Sequence, residues 1–429
     1  MIPSVEKRSP AEIKLFQEKE LAKLLNYLNT HSPFYKNLFK TTGIKPEDIR
    51  KLEDLKKIPF TTKNDLQERN EDFLCVPQRK VIDYITTSGT LGDPVTFALT
   101  DKDLDRLAYN ECISLACADG SPDDIYQQMV TIDKRFMAGL AYYLGARRLG
   151  AGIIRVGSGI PELQWDSIRR MKPTAFIVVP SFLLKLIDYA KANGIDYKNT
   201  EVSKAICIGE SIRNNDFTLN TLGQKIKSYW PSLKLYSTYA STEMSAAFTE
   251  CKEGMGGHHH PELIITEFLD DQGNEVPEGQ AGELVITTLG VEGMPLLRFK
   301  TGDILRHHNT ACACGRNSLR TGPVIGRKQQ MIKFKGTTLY PPALYNILDE
   351  IDFVKTYAVK VYTNQLGTDQ VAVYVHLKTE NKEAEKIIKD RFRASLRVTP
   401  QIIFKNESYL QKIIFPVGGR KAVKFFDER

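Results

Sequence analysis

Three well-separated segments carry side chains able to hold a polyanion. Thr86-Thr87-Ser88-Gly89-Thr90-Leu91-Gly92-Asp93-Pro94 follows the strand-like Val81-Ile82-Asp83-Tyr84-Ile85. Its hydroxyls and glycines can wrap O–H and N–H groups around phosphate oxygens, although it lacks the Gly-Lys-Ser or Gly-Lys-Thr ending of a Walker loop. Tyr239-Ala240-Ser241-Thr242-Glu243 adds an aromatic face and a carboxylate. Mg2+ keeps near-octahedral oxygen coordination and is usually held by one or two carboxylates plus the phosphates themselves, which is work Glu243 can do. Thr301-Gly302-Asp303 places a second carboxylate beside a turn. Each segment alone also reads as a Ser/Gly turn or a helix cap. Their order and separation indicate a nucleotide held across several loops.

A second constellation is soft. Cys251, the run His258-His259-His260, and Cys312-x-Cys314 could converge on a tetrahedral Cys3His zinc with no open position, a structural clamp in which His258 is the favoured histidine. The alternative is reduced cysteines beside a chance histidine run. The chain has seven cysteines, an odd number that argues against a disulfide framework.

Positioning these groups requires a sizeable fold. At 429 residues the chain exceeds the roughly 250 to 300 at which a single core stops growing, so at least two domains are expected. Apolar residues recur at helical spacing from Ala11 to about Leu28. Thr61-Thr62-Lys63-Asn64-Asp65 offers a hydroxyl N-cap with an acid in the first turn. Between about 130 and 290, the short apolar runs Ile153–Val156, Ala175–Pro180 and Ala205–Glu210 alternate with helix-length stretches such as Phe182–Ala192. That alternation predicts a parallel sheet in an α/β domain, with ligands beyond the carboxyl ends of its strands. After the Asp270-Asp271-Gln272-Gly273 turn, Gly282–Leu289 begins a more antiparallel β subdomain. At about Lys328 the pattern becomes short strands around the helices Pro342–Glu350 and Glu383–Ser395, which divides the chain into a large domain, 1–327, and a small α+β domain, 328–429.

Hydrophobic residues at 42% and charged residues at 26% are ordinary for a soluble globular protein, and no apolar run approaches the roughly 20 residues that span a bilayer. No membrane association is expected. The amino terminus turns charged at once and lacks a secretory core, which implies the cytoplasm. The net charge of +7 comes from 59 basic and 52 acidic residues interleaved along the chain, so it does not mark a nucleic-acid binder.

The three nucleotide segments together resemble the adenylate-forming superfamily of acyl-coenzyme A synthetases, whose phosphate loop is Ser/Thr-Ser-Gly-Thr-Thr-Gly-Lys-Pro; here Leu91 replaces a Thr and Asp93 the Lys. The resemblance gives Ser88, Gly89 and Thr90 to the phosphates, Tyr239 with Ala240, Ser241 and Thr242 to the adenine side, Glu243 to Mg2+, and Asp303 with Arg327 to the ribose. Within the superfamily the chain is most similar to the phenylacetate:coenzyme A ligase group. The matching residues are Ile58 to Leu66, Gly209-Glu210, Met294 to Arg298, Cys312 to Arg316 and the short length. Gly209 and Glu210 correspond to the family's Gly-Ala-Glu at the adenine and acid pocket. Phe136, Ala138, Gly139 and Tyr142 align with its acid pocket, or are simply core at helical spacing. Lys421, in Gly418-Gly419-Arg420-Lys421-Ala422, matches the adenylation lysine, with Lys424 and Lys412 as alternatives.

The resemblance therefore implies an adenylate-forming fold with a mobile C-terminal domain, and ATP, Mg2+, coenzyme A and an aryl or arylacetic acid as partners. Chemistry would run through acyl-AMP to a thioester, in a protein often dimeric. The family's acidic hinge residue is absent from Lys328-Gln329-Gln330. An adenylyltransferase acting on a cofactor hydroxyl, and a nucleotide-binding protein without turnover, are the alternatives.

Overall fold

The computed structural model describes residues 2–87, 94–335, 337–365, 368–415 and 422–429. Its contacts form two compact units. The first comprises Met1–Leu219, Gly223–Thr301 and Leu305–Pro323, and the second Asn220–Leu222, Gly302–Ile304 and Val324–Arg429.

In the first unit a single 3-10 turn, Ser4–Lys7, precedes helix α1 (Pro10–His31). The helix starts where Ser9 and Glu12 cap each other's backbone and Pro10 occupies the first helical position. Ser32 ends α1 and caps α2 (Pro33–Thr42). Thr62 and Asp65 form the capping box of α3 (Lys63–Glu68), the hydroxyl-and-acid start expected there. Strands β1 (Val81–Thr86) and β2 (Thr96–Thr100) pair antiparallel, and Thr100 caps α4 (Asp101–Cys117).

The α/β alternation follows: β3 (Ile125–Gln128), α5 (Met137–Leu149), β4 (Gly152–Arg155), α6 (Pro161–Met171), β5 (Ala175–Val178), α7 (Pro180–Ala192), β6 (Lys204–Cys207), α8 (Thr221–Tyr229) and β7 (Lys234–Ser241). These strands pair parallel with one another, and β5 and β6 are buried throughout, which is why they read as unbroken apolar runs. Past β7 come β8 (Ala246–Glu250), β9 (Gly257–His258), β10 (Ile264–Leu269), β11 (Ala281–Thr288), β12 (Phe299–His308) and β13 (Arg320–Thr321). The expected antiparallel region is present, and it continues the same sheet in the order β10-β11-β12-β13-β9-β8-β7-β6-β5-β3-β4.

In the second unit β14 (Gly326–Arg327) pairs with Asp303 and Ile304 of β12. A hairpin of β15 (Ile332–Phe334) and β16 (Thr337–Leu339) leads to α9 (Pro341–Asp349). Strands β17 (Val354–Thr363), β18 (Asp369–Leu377), β19 (Gln401–Phe404) and β20 (Phe425–Glu428) form a sheet in the order β19-β18-β17-β20, with α10 (Ala384–Leu396) and α11 (Glu407–Ile414) between its later strands. Val359, Val361, Val373, Val375, Ile388 and Phe392 centre its core, giving the small α+β unit read from the sequence. Among the described residues no helix is long and apolar enough to cross a membrane.

Candidate active site and candidate metal centre

Tyr239, Ala240 and Ser241 end β7, and Thr242 and Glu243 lie in the turn to β8. The pairing Tyr239↔Phe248 and Ser241↔Ala246 makes this a tight hairpin, closed by the Ser245 N–H donating to Thr242 O at 3.2 Å and the Met244 N–H to Ser241 Oγ at 3.3 Å. Glu243 is half-buried at its tip. On the neighbouring parallel strand β6, Cys207 pairs with Ser237, so Gly209 and Tyr239 leave adjacent strand ends, the position at which such sheets bind ligands. The Glu210 carboxylate accepts from Ser181 N–H and Ser181 Oγ, each at 2.9 Å, which holds it against the positive end of α7.

Thr87 and Val95, on either side of the Ser/Gly/Thr segment in sequence, are joined: the Thr87 N–H donates to Val95 O at 2.9 Å, and Thr87 Oγ1 accepts from the Val95 N–H at 3.0 Å. Ser88, Gly89 and Thr90 lie outside the described residues, as does Lys421. Lys424, the alternative lysine on β20's approach, places its ammonium 3.3 Å from the Tyr357 hydroxyl and 4.5 Å from that ring's centre. Lys412 is exposed on α11.

In the second unit Asp303 and Arg327 are paired across β12 and β14, with Arg327 Nε donating to Asp303 Oδ1 at 3.2 Å. Asp303 follows Gly302, whose φ of 77° lies in the left-handed region that glycine adopts without steric cost and that bends the strand just before the carboxylate.

The aromatic stretch on α5 is mixed. Phe136 and Ala138 are partly buried, whereas Tyr142 packs in a core with Cys112, Tyr126 and Ile206. A Cβ on Gly139 would stand 1.9 Å from Thr131 O, so that glycine is needed for close approach of α5 to the chain after β3. Beside Tyr142 lies Glu111 of α4, whose Oε1 accepts from Asn110 Nδ2 at 3.2 Å and whose buried Oε2 has no partner among the described residues. Burial pushes its carboxyl up to about 8, so it is neutral at neutral pH. Because the folded value lies above the unfolded one, this stabilisation is complete below the unfolded value and is lost as pH rises through about 8. Thermal melts should therefore fall more steeply between about pH 5 and 8 in the wild type than in Glu111→Gln, and parallel profiles would contradict the assignment.

The soft ligands do converge. One ligand atom each from Cys251, His258, Cys312 and Cys314 lies within 4.8 Å of all the others. Cys251 Sγ is 3.7 Å from Cys312 Sγ, and Cys314 Sγ is 3.5 Å from His258 Nε2. A tetrahedral zinc with Zn–S near 2.3 Å and Zn–N near 2.1 Å separates its ligand atoms by about 3.8 Å and about 3.6 Å respectively, so the group fits that ion. Burial pushes the His258 imidazole down to about 3, leaving it neutral and able to ligate. Burial raises the Cys314 thiol, but hydrogen bonds from Arg316 outweigh it and hold the group below its ordinary value.

Around these ligands stands a layer that the sequence did not reveal. Glu6 is fully buried; Arg316 Nε donates to its Oε2 at 2.7 Å, and His260 Nδ1 lies 2.5 Å from its Oε1. Arg316 Nη1 also donates to Cys314 Sγ at 3.4 Å. The N-terminal turn is thus fastened to the cysteine loop, and the only signal in the sequence was an acid in a stretch that otherwise reads as a solvated terminus.

A family profile described as AMP-binding enzyme matches residues 30–293. The chain belongs to the AMP-binding enzyme family. It is 31% identical over 352 residues to a phenylacetate-coenzyme A ligase of Thermus thermophilus, covering 81% of this chain and 77% of that one. It is 29% identical over 390 residues to a phenylacetate-coenzyme A ligase of Pseudomonas putida, covering 89% and 85%. A crystal structure of 2-hydroxyisobutyryl-CoA ligase bound to an acyl-AMP superposes with a TM-score of 0.86 over 100% of this chain and 92% of that one at 22% identity, a likeness of fold.

Proposed function

We propose that the protein activates an aryl or arylacetic carboxylic acid with ATP. The carboxylate oxygen attacks the α-phosphorus, pyrophosphate leaves, and the resulting acyl-AMP is attacked at its acyl carbon by the coenzyme A thiolate, releasing AMP. The observation that carries this reading is the likeness to phenylacetate-coenzyme A ligases over most of the chain. The hairpin bearing Tyr239 and Glu243 and the Asp303–Arg327 pair support it, because they offer an aromatic face, a cation-binding carboxylate and an oriented acceptor for vicinal hydroxyls.

In this reading Glu243 holds Mg2+, Asp303 accepts from the ribose while Arg327 orients it, and Ser88, Gly89 and Thr90 cradle the phosphates. Gly209 and Glu210 border the nucleotide, with Phe136, Ala138, Gly139 and Tyr142 on the acid side. Lys421 belongs to a small domain of residues 328–429 and acts in the first step. A structural zinc joins Cys251 and His258 to Cys312 and Cys314, and the enzyme works in the cytoplasm. The adenylyltransferase alternative requires no carboxylic acid. Incubation with ATP, Mg2+, coenzyme A and a panel of aryl, arylacetic and short aliphatic acids should release AMP and thioester with the aromatic acids; AMP release that ignores the acid would refute the reading.

A further inference from the structure

Arg106 is buried on α4. Its Nη1 donates to Ser245 O at 2.6 Å, its Nη2 to Leu263 O at 2.6 Å and its Nε to Leu289 O at 2.7 Å. One guanidinium thus fastens three backbone segments: the β7–β8 turn, the approach to β10 and the exit of β11. Burial lowers it only to about 10, so it stays charged. Ser245 is the residue that closes the Glu243 turn, and it does so at a left-handed φ of 47°, a conformation that costs a non-glycine residue free energy and persists where surrounding contacts enforce it.

Arg106 also heads a polar seam. Asn110 Oδ1 accepts from the Ala247 N–H at 3.1 Å, Ser114 Oγ lies 3.4 Å from Ala247 O, and Cys117 Sγ lies 3.3 Å from Thr249 O. Along this seam Arg106, then Asn110 together with Ser114, then Cys117 meet the alternate residues Ser245, Ala247 and Thr249 of the turn and β8. A buried face that is normally apolar is instead spent on fixing the register of one hairpin. We infer that Arg106 is a positioning residue that sets the Thr242–Ser245 turn and, through it, the placement of Glu243 toward Mg2+. This inference rests on the proposed role of Glu243.

The test is a double-mutant cycle on acid-dependent exchange of labelled pyrophosphate into ATP, with melting temperature recorded for every variant. Lysine keeps the charge but cannot reach three carbonyls together. Arg106→Lys should lower exchange by about 100-fold, the scale of a displaced catalytic group, and excess Mg2+ or Mn2+ should recover part of the loss. In a Glu243→Gln background the same change should cost nothing further, since both act on one contact. Additive losses, or full exchange in a folded Arg106→Lys, would overturn the role of Arg106 alone. Full exchange in Glu243→Gln would overturn the Mg2+ assignment and this inference with it, and wild-type protein inert with every acid would overturn the function itself. If Arg106→Lys does not fold, Ser245→Gly keeps the question decidable. Glycine adopts the left-handed φ without cost and keeps the carbonyl, so in that background Arg106→Lys should fold and lower exchange about tenfold with the same cation dependence; full exchange there, or a loss that added cation does not relieve, would overturn the proposal.

Discussion

Replacing Lys421 with alanine is expected to slow acyl-adenylate formation by about 10²- to 10³-fold, the loss that follows removal of one preorganised group facing developing charge. Negative charge accumulates on the α-phosphate oxygens as the carboxylate attacks, and an ammonium stabilises that state more than the ground state. The expected signature is a fall in the rate of adenylation with little change in the KM for ATP, because the proposed nucleotide contacts of Glu243, Asp303 and the phosphate loop are left in place. Thioester formation from preformed acyl-AMP should persist, since that step forms the C–S bond and breaks the acyl C–O bond without any change at phosphorus. Rapid-quench measurement of acyl-AMP separates the two. Unchanged adenylation with slowed thioester formation would refute the role. Lys412→Ala and Lys424→Ala serve as comparisons, and Lys424 is already engaged with the Tyr357 hydroxyl, so its loss should register mainly as stability.

Removing the proposed zinc should have the largest effect on the folded state. The purified protein is expected to carry about one zinc per chain, and Cys312→Ala or exhaustive chelation should abolish it. Chelation would leave three thiols and an imidazole clustered, and Cys312→Ala two thiols and an imidazole, with Arg316 the neighbouring cation, and the loops around Cys251 and Cys312 would lose the bond that joins them. Structural zinc supplies ~10–16 kcal/mol in small finger peptides. Even a quarter of that, at roughly 1–2 °C per kcal/mol for a chain of this length, lowers the melting temperature by about 5 °C. Retention should weaken as pH falls, because thiolate ligands must be deprotonated. Stoichiometric metal analysis together with a melt decides the point: protein free of zinc, with the same melting temperature in Cys312→Ala, would contradict the clamp.

The legible parts of the molecule were those set by local rules. Alternation of apolar runs with helical stretches revealed the parallel strands β4, β5 and β6, whereas β3 and β7, with polar residues within them, were not singled out; Thr62 with Asp65 announced α3 through its own capping chemistry. The Cys251, His258, Cys312 and Cys314 group was legible because soft ligands are few, so their grouping stands out even across two loops. Glu6 and Arg106 were not legible. A charged side chain is buried only when distant partners satisfy it, and for Glu6 those partners lie 254 and 310 residues away. Tyr142 shows a third case: an aromatic at helical spacing reads equally as pocket wall or core, and its neighbours Cys112, Tyr126 and Ile206 come from separate elements that spacing does not bring together.

The first half-reaction proposed is the opening of ATP at its α-phosphate by a carboxylic acid. Exchange of labelled pyrophosphate into ATP, measured on zinc-replete protein with Mg2+ and without coenzyme A, tests it most directly. Exchange is expected only when an accepted aromatic acid is present, and it should fall by about 10²-fold or more in Lys421→Ala. Exchange that proceeds without any acid, or its absence with every acid tested, would contradict it.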